Sequence, residues 1–106
     1  MSKPVGMSLN QPVYGPFQGV WSGRAGLFTV ELDIDATGAF RWTSTFSNAR
    51  AEGQDLITKS GYNYLIVLPF IQQQPLSMHL GRDKKSLTLI GESGIILHLS
   101  RVPPTR

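Results

Sequence analysis

Alternation with a period of two governs this chain. From Leu27 to Ile34, the residues Phe28, Val30, Leu32 and Ile34 fall on one face and Thr29, Glu31 and Asp33 on the other. Successive side chains of a strand point to opposite faces, so the pattern specifies a half-buried strand and conflicts with a helix. Asp35-Ala36-Thr37-Gly38 follows. Asp starts such a turn with its side chain and Gly supplies φ > 0, which predicts a hairpin. Ala39 to Phe46 then alternates again, with Phe40, Trp42, Ser44 and Phe46 inward and Arg41, Thr43 and Thr45 outward.

The same period runs through the rest. Phe17 to Arg24 places Phe17, Gly19, Trp21 and Gly23 on one face, and Gly23 and Gly26 bracket a turn. Tyr62 to Leu68 is apolar on both faces: Tyr62, Tyr64, Ile66 and Leu68 on the core side, Leu65 and Val67 on the other. Pro69 to Pro75 reads as a loop with Phe70 and Ile71 near its tip. Leu76, Met78 and Leu80 face inward on the next strand, then Leu87 and Leu89, and Ile95, Leu97 and Leu99 complete the last. Polar turns at 82–85 and 91–94 separate them. Turn signals recur about every 8 to 12 residues, the spacing of a barrel or sandwich. The chain is therefore expected to be all-β, a small antiparallel meander of about eight strands forming a β-barrel or a tight β-sandwich.

Residues 47–61 carry the weakest pattern. Residues 51–59 read as a strand, and a short helix within 47–57 is the alternative. Residues 1–16 hold Pro4, Pro12 and Pro16 without periodicity and read as an extended N-terminal arm. The domain spans 17–101, and 102–106 form a tail whose Pro103 and Pro104 cannot continue a ladder.

Charged residues make up 16% of the chain, below the usual ~25%, so Ser, Thr, Gln, Asn and Gly must supply much of the surface. The absence of cysteine excludes a disulfide scaffold, thiolate zinc sites and thiol catalysis. The longest apolar run, Leu65 to Ile71, is broken by Pro69 and falls far short of the ~18 residues a membrane span needs. The first residues lack the apolar core of a signal peptide. A cytoplasmic protein is expected if Met1 is the natural start, and a periplasmic or secreted one if a leader has been removed. The net charge is +3; three of the ten basic residues (Lys3, Arg101, Arg106) sit at or near the ends and a second group (Arg82, Lys84, Lys85) is softened by Asp83, so nucleic acid is not an expected partner.

No constellation for catalysis emerges, and neither an enzyme, a cofactor nor a metal is expected. His79 and His98 fall on the outer face, and one strand between them separates the two by about 10 Å, too far for one ion to bridge alone. Asp33 points outward and Asp35 opens a turn. Gly19 to Gly26 lacks the Lys-Ser/Thr and the helix of a phosphate loop. Arg41 sits between Phe40 and Trp42, but alternation turns those rings away from it, against stacking on single strands.

Two surfaces remain. The inward rings form either a filled core or a lined pocket. In the pocket reading, Trp42, Ser44, Tyr62 and Tyr64 line a site for a small apolar ligand. The second surface is Leu65, Val67, Phe70 and Ile71, an apolar patch for a protein partner or a second copy. Its alternative is that Val5, Leu9, Val13 and Tyr14 of the arm cover it. The expected function is a non-enzymatic binding module, with an inhibitor or homo-oligomerising domain as the alternative.

Gly19-x-Trp21 on the first strand, followed by a meander, resembles the calycin group of lipocalins and avidins, and some small bacterial protease inhibitors are similar. Those barrels place such a Trp at the closed end. The resemblance rests on this motif and the strand pattern. The second lipocalin motif, centred on Thr-Asp-Tyr, is missing, and the polar biotin-contacting set of avidins does not map onto this chain. Trp21 alone carries over, as a structural residue. The implied function is to hold a small apolar molecule or block a partner.

Overall fold

The structure is a computed structural model describing residues 14–103. A 3-10 helix, Gly15–Phe17, precedes nine strands: β1 (Gly19–Ala25), β2 (Phe28–Ile34), β3 (Ala39–Phe46), β4 (Ala49–Leu56), β5 (Thr58–Ser60), β6 (Asn63–Ile66), β7 (Leu76–Leu80), β8 (Ser86–Gly91) and β9 (Gly94–Arg101). They form one antiparallel sheet in the order β4-β3-β2-β1-β9-β8-β7-β6-β5. The sheet curls into a half-barrel, and pairing of β1 with β9 joins its N- and C-terminal halves. The all-β meander expected from alternation is what the chain forms.

The strands number nine because the weakly patterned stretch divides. It contains no helix: residues 49–56 are β4 and 58–60 are β5, with Ile57 between them. Every residue of β4 except Gly53 is exposed, so burial imposes no alternation on it. Ile57 is the pivot. It is 4% exposed, its N–H donates to the Gly38 carbonyl at 2.7 Å, and its carbonyl accepts from the Tyr14 hydroxyl at 3.4 Å. Consecutive β4 and β5 are thus the two opposite edges of the sheet, linked covalently at one corner.

The β2–β3 turn has the predicted chemistry. Asp35 accepts from Thr37 Oγ1 at 2.6 Å, the Thr37 N–H at 2.8 Å and the Ala39 N–H at 3.2 Å, and Gly38 takes φ 93°. These bonds pair the turn's amides. At the far side, a bulge shifts the β8–β9 register: Leu89 pairs with Leu97 but Ile90 with Ile95. The extra residue turns Ile95 outward, where it is 60% exposed.

The curled face is filled with side chains. Trp21, Val30, Leu32, Leu68, Leu76, Leu87 and Leu89 are completely buried. Each aliphatic side chain so buried contributes roughly 1.5–3 kcal/mol relative to exposure. Of the N-terminal arm, residues 1–13 lie outside the described residues and Tyr14 packs against the core, of which Phe17, the first residue of the domain, is a member.

Candidate functional site

Two aromatic clusters occupy different parts of the half-barrel. The first surrounds Trp21, whose indole N–H donates to the Phe17 carbonyl at 2.8 Å. Arg101, opposite Trp21 in the β1–β9 ladder, lays its guanidinium over the ring, 4.2 Å from the centroid. Tyr64 contributes here, edge-on to Phe17 at 5.1 Å and to Tyr14 at 5.5 Å.

The second cluster lies where β2 begins and β3 ends. Trp42 meets Phe70 at 5.0 Å between ring centroids, Phe70 meets Phe28 at 6.3 Å, and Phe28 meets Phe46 at 5.3 Å. Phe28 and Phe46 are on the inward face by parity, yet they stand at its end and are 37% and 42% exposed. Leu27, in the adjoining turn, is 71% exposed. Trp42 lies against Gly53 of β4, where a Cβ would stand 2.7 Å from the indole. Next along β3 is Ser44, 3% exposed, and among the described residues its hydroxyl has no hydrogen-bond partner.

The structure brings Trp42 and Ser44 together and separates them from the other two residues of the expected pocket. Tyr64 is half-buried in the first cluster. Tyr62 is not inward at all: it occupies the β5–β6 turn and is 98% exposed. The turn consumes the residue that alternation assigned to a strand, so parity ceases to apply.

Leu65, Val67, Phe70 and Ile71 are each half-buried. Phe70 and Ile71 fold onto the core instead of projecting. The carbonyl of Leu68 accepts from the N–H groups of Ile71 (2.9 Å) and Gln72 (3.1 Å), and this tight turn directs Phe70 back to Trp42. Among the exposed large apolar side chains, which also include Leu56, Tyr62, Ile95 and Val102, Phe28 and Phe46 pack against one another, and Leu27 lies in the turn beside them. An apolar Leu in a turn beside Gly26 was the signal for this group in the sequence.

The two histidines lie on β7 and β9, on either side of β8 in the one sheet. Thr88 stands between His79 and His98 in the ladder, and both imidazoles are exposed. Thr88 Oγ1 lies 3.1 Å from His98 Nδ1. Among the described residues, no three His, Asp or Glu side chains are placed to hold a metal ion. A depression of about 470 Å³ on the outside of β2, β3 and β4 is lined by Asp33, Asp35, Arg41 and Asp55 among others. The Thr37 hydroxyl and amide hold the Asp35 carboxyl below its ordinary 3.8, consistent with its role in the turn. No family model matches the chain, and neither a curated protein nor a solved structure is similar to it.

Proposed function

We propose that this chain is a non-enzymatic binding module, a calycin-like half-barrel that docks a protein partner through the apolar rim of Leu27, Phe28, Phe46 and Phe70. One observation carries the reading: Phe28 and Phe46 remain partly exposed against one another, next to the Phe70–Trp42 stack, with Leu27 exposed in the adjoining turn. Leaving such groups in water forgoes roughly 1.5–3 kcal/mol for each fully buried side chain, and contiguous exposed patches of this kind mark interaction sites. The calycin likeness is supported by Trp21, fully buried beneath the 3-10 helix, as the Gly19-x-Trp21 motif implies. A photo-cross-linking residue at position 27, introduced in the cells that make the protein, tests the rim. A discrete adduct from position 27 and none from position 62 is expected; equal labelling at both, or none at position 27, sinks the reading.

A second reading is favoured by Ser44. A buried hydroxyl without a partner among the described residues costs about 1–3 kcal/mol, and an apolar ligand with one polar atom beside Trp42 would relieve it. Tryptophan fluorescence titrated with 8-anilinonaphthalene sulfonate and with a fatty acid series tests this. Saturable quenching that Ser44→Ala weakens supports it; an unchanged spectrum across the series rejects it.

A further inference from the structure

We infer that two copies of this chain pair along the free edge of β4, with Gly53 on the two-fold axis. The surface is separate from the aromatic rim and does not depend on it.

β4 is an eight-residue edge strand paired only with β3. Phe46 and Ala49 are partners across the Ser47–Asn48 turn, so they exchange the first pair of ladder bonds. The exchange recurs at every second residue, and the Ile57 N–H bond to Gly38 continues the same phase. Hence Ala49, Ala51, Gly53 and Asp55 bond to β3, and the main-chain groups of Arg50, Glu52, Gln54 and Leu56 face outward. The Asp55 carboxylate takes the Leu56 N–H at 2.8 Å. The remaining outward donors and acceptors have no backbone partner among the described residues. Such a row is a template for another strand.

Charge and size choose both the occupant and the register. Antiparallel self-pairing centred on Glu52 sets two carboxylates directly opposite one another and is disfavoured. Centring on Ala51 joins Arg50 to Glu52 but leaves Gln54 and Leu56 unpaired. Centring on Gly53 places Glu52 opposite Gln54 of the second copy, twice, so that each amide donates to a carboxylate. It also lays the Arg50 stem beside Leu56, which is 62% exposed in the single chain. The close approach falls at Gly53, which has no side chain to collide. About six main-chain bonds form, two fewer than a full match because Leu56 N–H is taken. An edge this short buries less than a standard interface, so the dimer is weak, with Kd on the order of 100 µM.

Sedimentation of the purified full chain from about 10 µM to 1 mM, with three variants at Gln54, tests the pairing. Gln54→Pro removes an outward N–H and leaves the β3 ladder intact. It is expected to abolish the dimer. Gln54→Lys faces Glu52 of the second copy and is expected to tighten it about tenfold, while Gln54→Glu weakens it about tenfold. Within one chain Gln54 faces Arg41, so the melting temperature of the dilute protein moves the opposite way, down for Lys and up for Glu. That opposition separates pairing from a change in fold stability. Amide exchange at Glu52 and Gln54 is expected to slow between 10 µM and 1 mM. A wild-type chain that stays monomeric at 1 mM overturns the inference. So does protection that is equal at both concentrations, which assigns the edge to a segment of the same chain. A dimer indifferent to Gln54 but lost on Phe46→Ser moves the contact to the aromatic rim and also overturns it.

Discussion

Arg101 closes over Trp21: the two are opposite in the β1–β9 ladder, and the guanidinium carbon lies 4.2 Å from the indole centroid. The same guanidinium donates to the carbonyls of Gln18 (2.5 Å), Pro16 (3.0 Å) and Lys84 (2.8 Å). One side chain therefore ties the last strand to the 3-10 helix, the first strand and the β7–β8 turn. A planar fork with several fixed donors suits this task, and a lysine ammonium does not.

Arg101→Lys is expected to keep the charge over Trp21 and lose most of the three-carbonyl bonding. Arg101→Ala loses both. The cation–π contact and charge-assisted bonds together are worth about 2 kcal/mol here, since the arginine is partly open to water. Thermal unfolding is expected to fall in the order wild type, Lys, Ala, by about 10 °C in all. Equal melting temperatures for the three chains rule out an anchoring role.

Phe70 shields Trp42, which is 9% exposed, whereas Trp21 is shielded elsewhere. Phe70→Ala is expected to shift tryptophan emission to the red and raise acrylamide quenching for one of the two indoles. Trp42→Phe in the same background removes the effect. An unchanged spectrum in Phe70→Ala contradicts the stack.

Gly23 sits where β1 crosses β9, and a Cβ there would collide with the His98 carbonyl and stand 2.8 Å from the Leu99 side chain. Backbone cannot yield as a flexible side chain can. Gly23→Ala is expected to open the β1–β9 pairing at a cost of about 2 kcal/mol or more. Faster amide exchange confined to β1 and β9 checks it; a wild-type exchange pattern refutes it.

Asp35 gives the acid response. Its carboxyl is held below 3.8 by Thr37 first, then by the amides of the turn. A carboxylate depressed in the folded state adds stability above its unfolded pKa and loses it as pH falls through the folded value. The difference in melting temperature between wild type and Asp35→Asn is expected to be constant from pH 7 to about 5 and to shrink below about 4. A difference that grows on acidification contradicts the assignment.

Much of the architecture was legible in the chain. The strands at 28–34 and 39–46, the Asp35–Gly38 turn and the inward residues Trp21, Leu32 and Leu89 follow from period two and turn chemistry, both local properties. The candidate site was less so. Trp42 and Ser44 were placed correctly on one face, but Tyr62 fell into a turn and Tyr64 joined a different cluster. Parity says which face a residue takes, not whether the face is covered at that height.

What the sequence by itself determined was therefore the class of fold, its turns and the division of each regular strand into two faces. The tertiary structure decided the rest: that β4 and β5 become the two opposite edges of the sheet, that Phe70 turns back onto Trp42, and that Arg101 reaches Trp21. The reason is physical. Alternation is written by neighbours two residues apart, whereas coverage depends on curvature and on partners such as Trp21 and Arg101, eighty residues apart by their numbers. The Trp21–Arg101 contact exists only because a register between the first and last strands sets the two side by side.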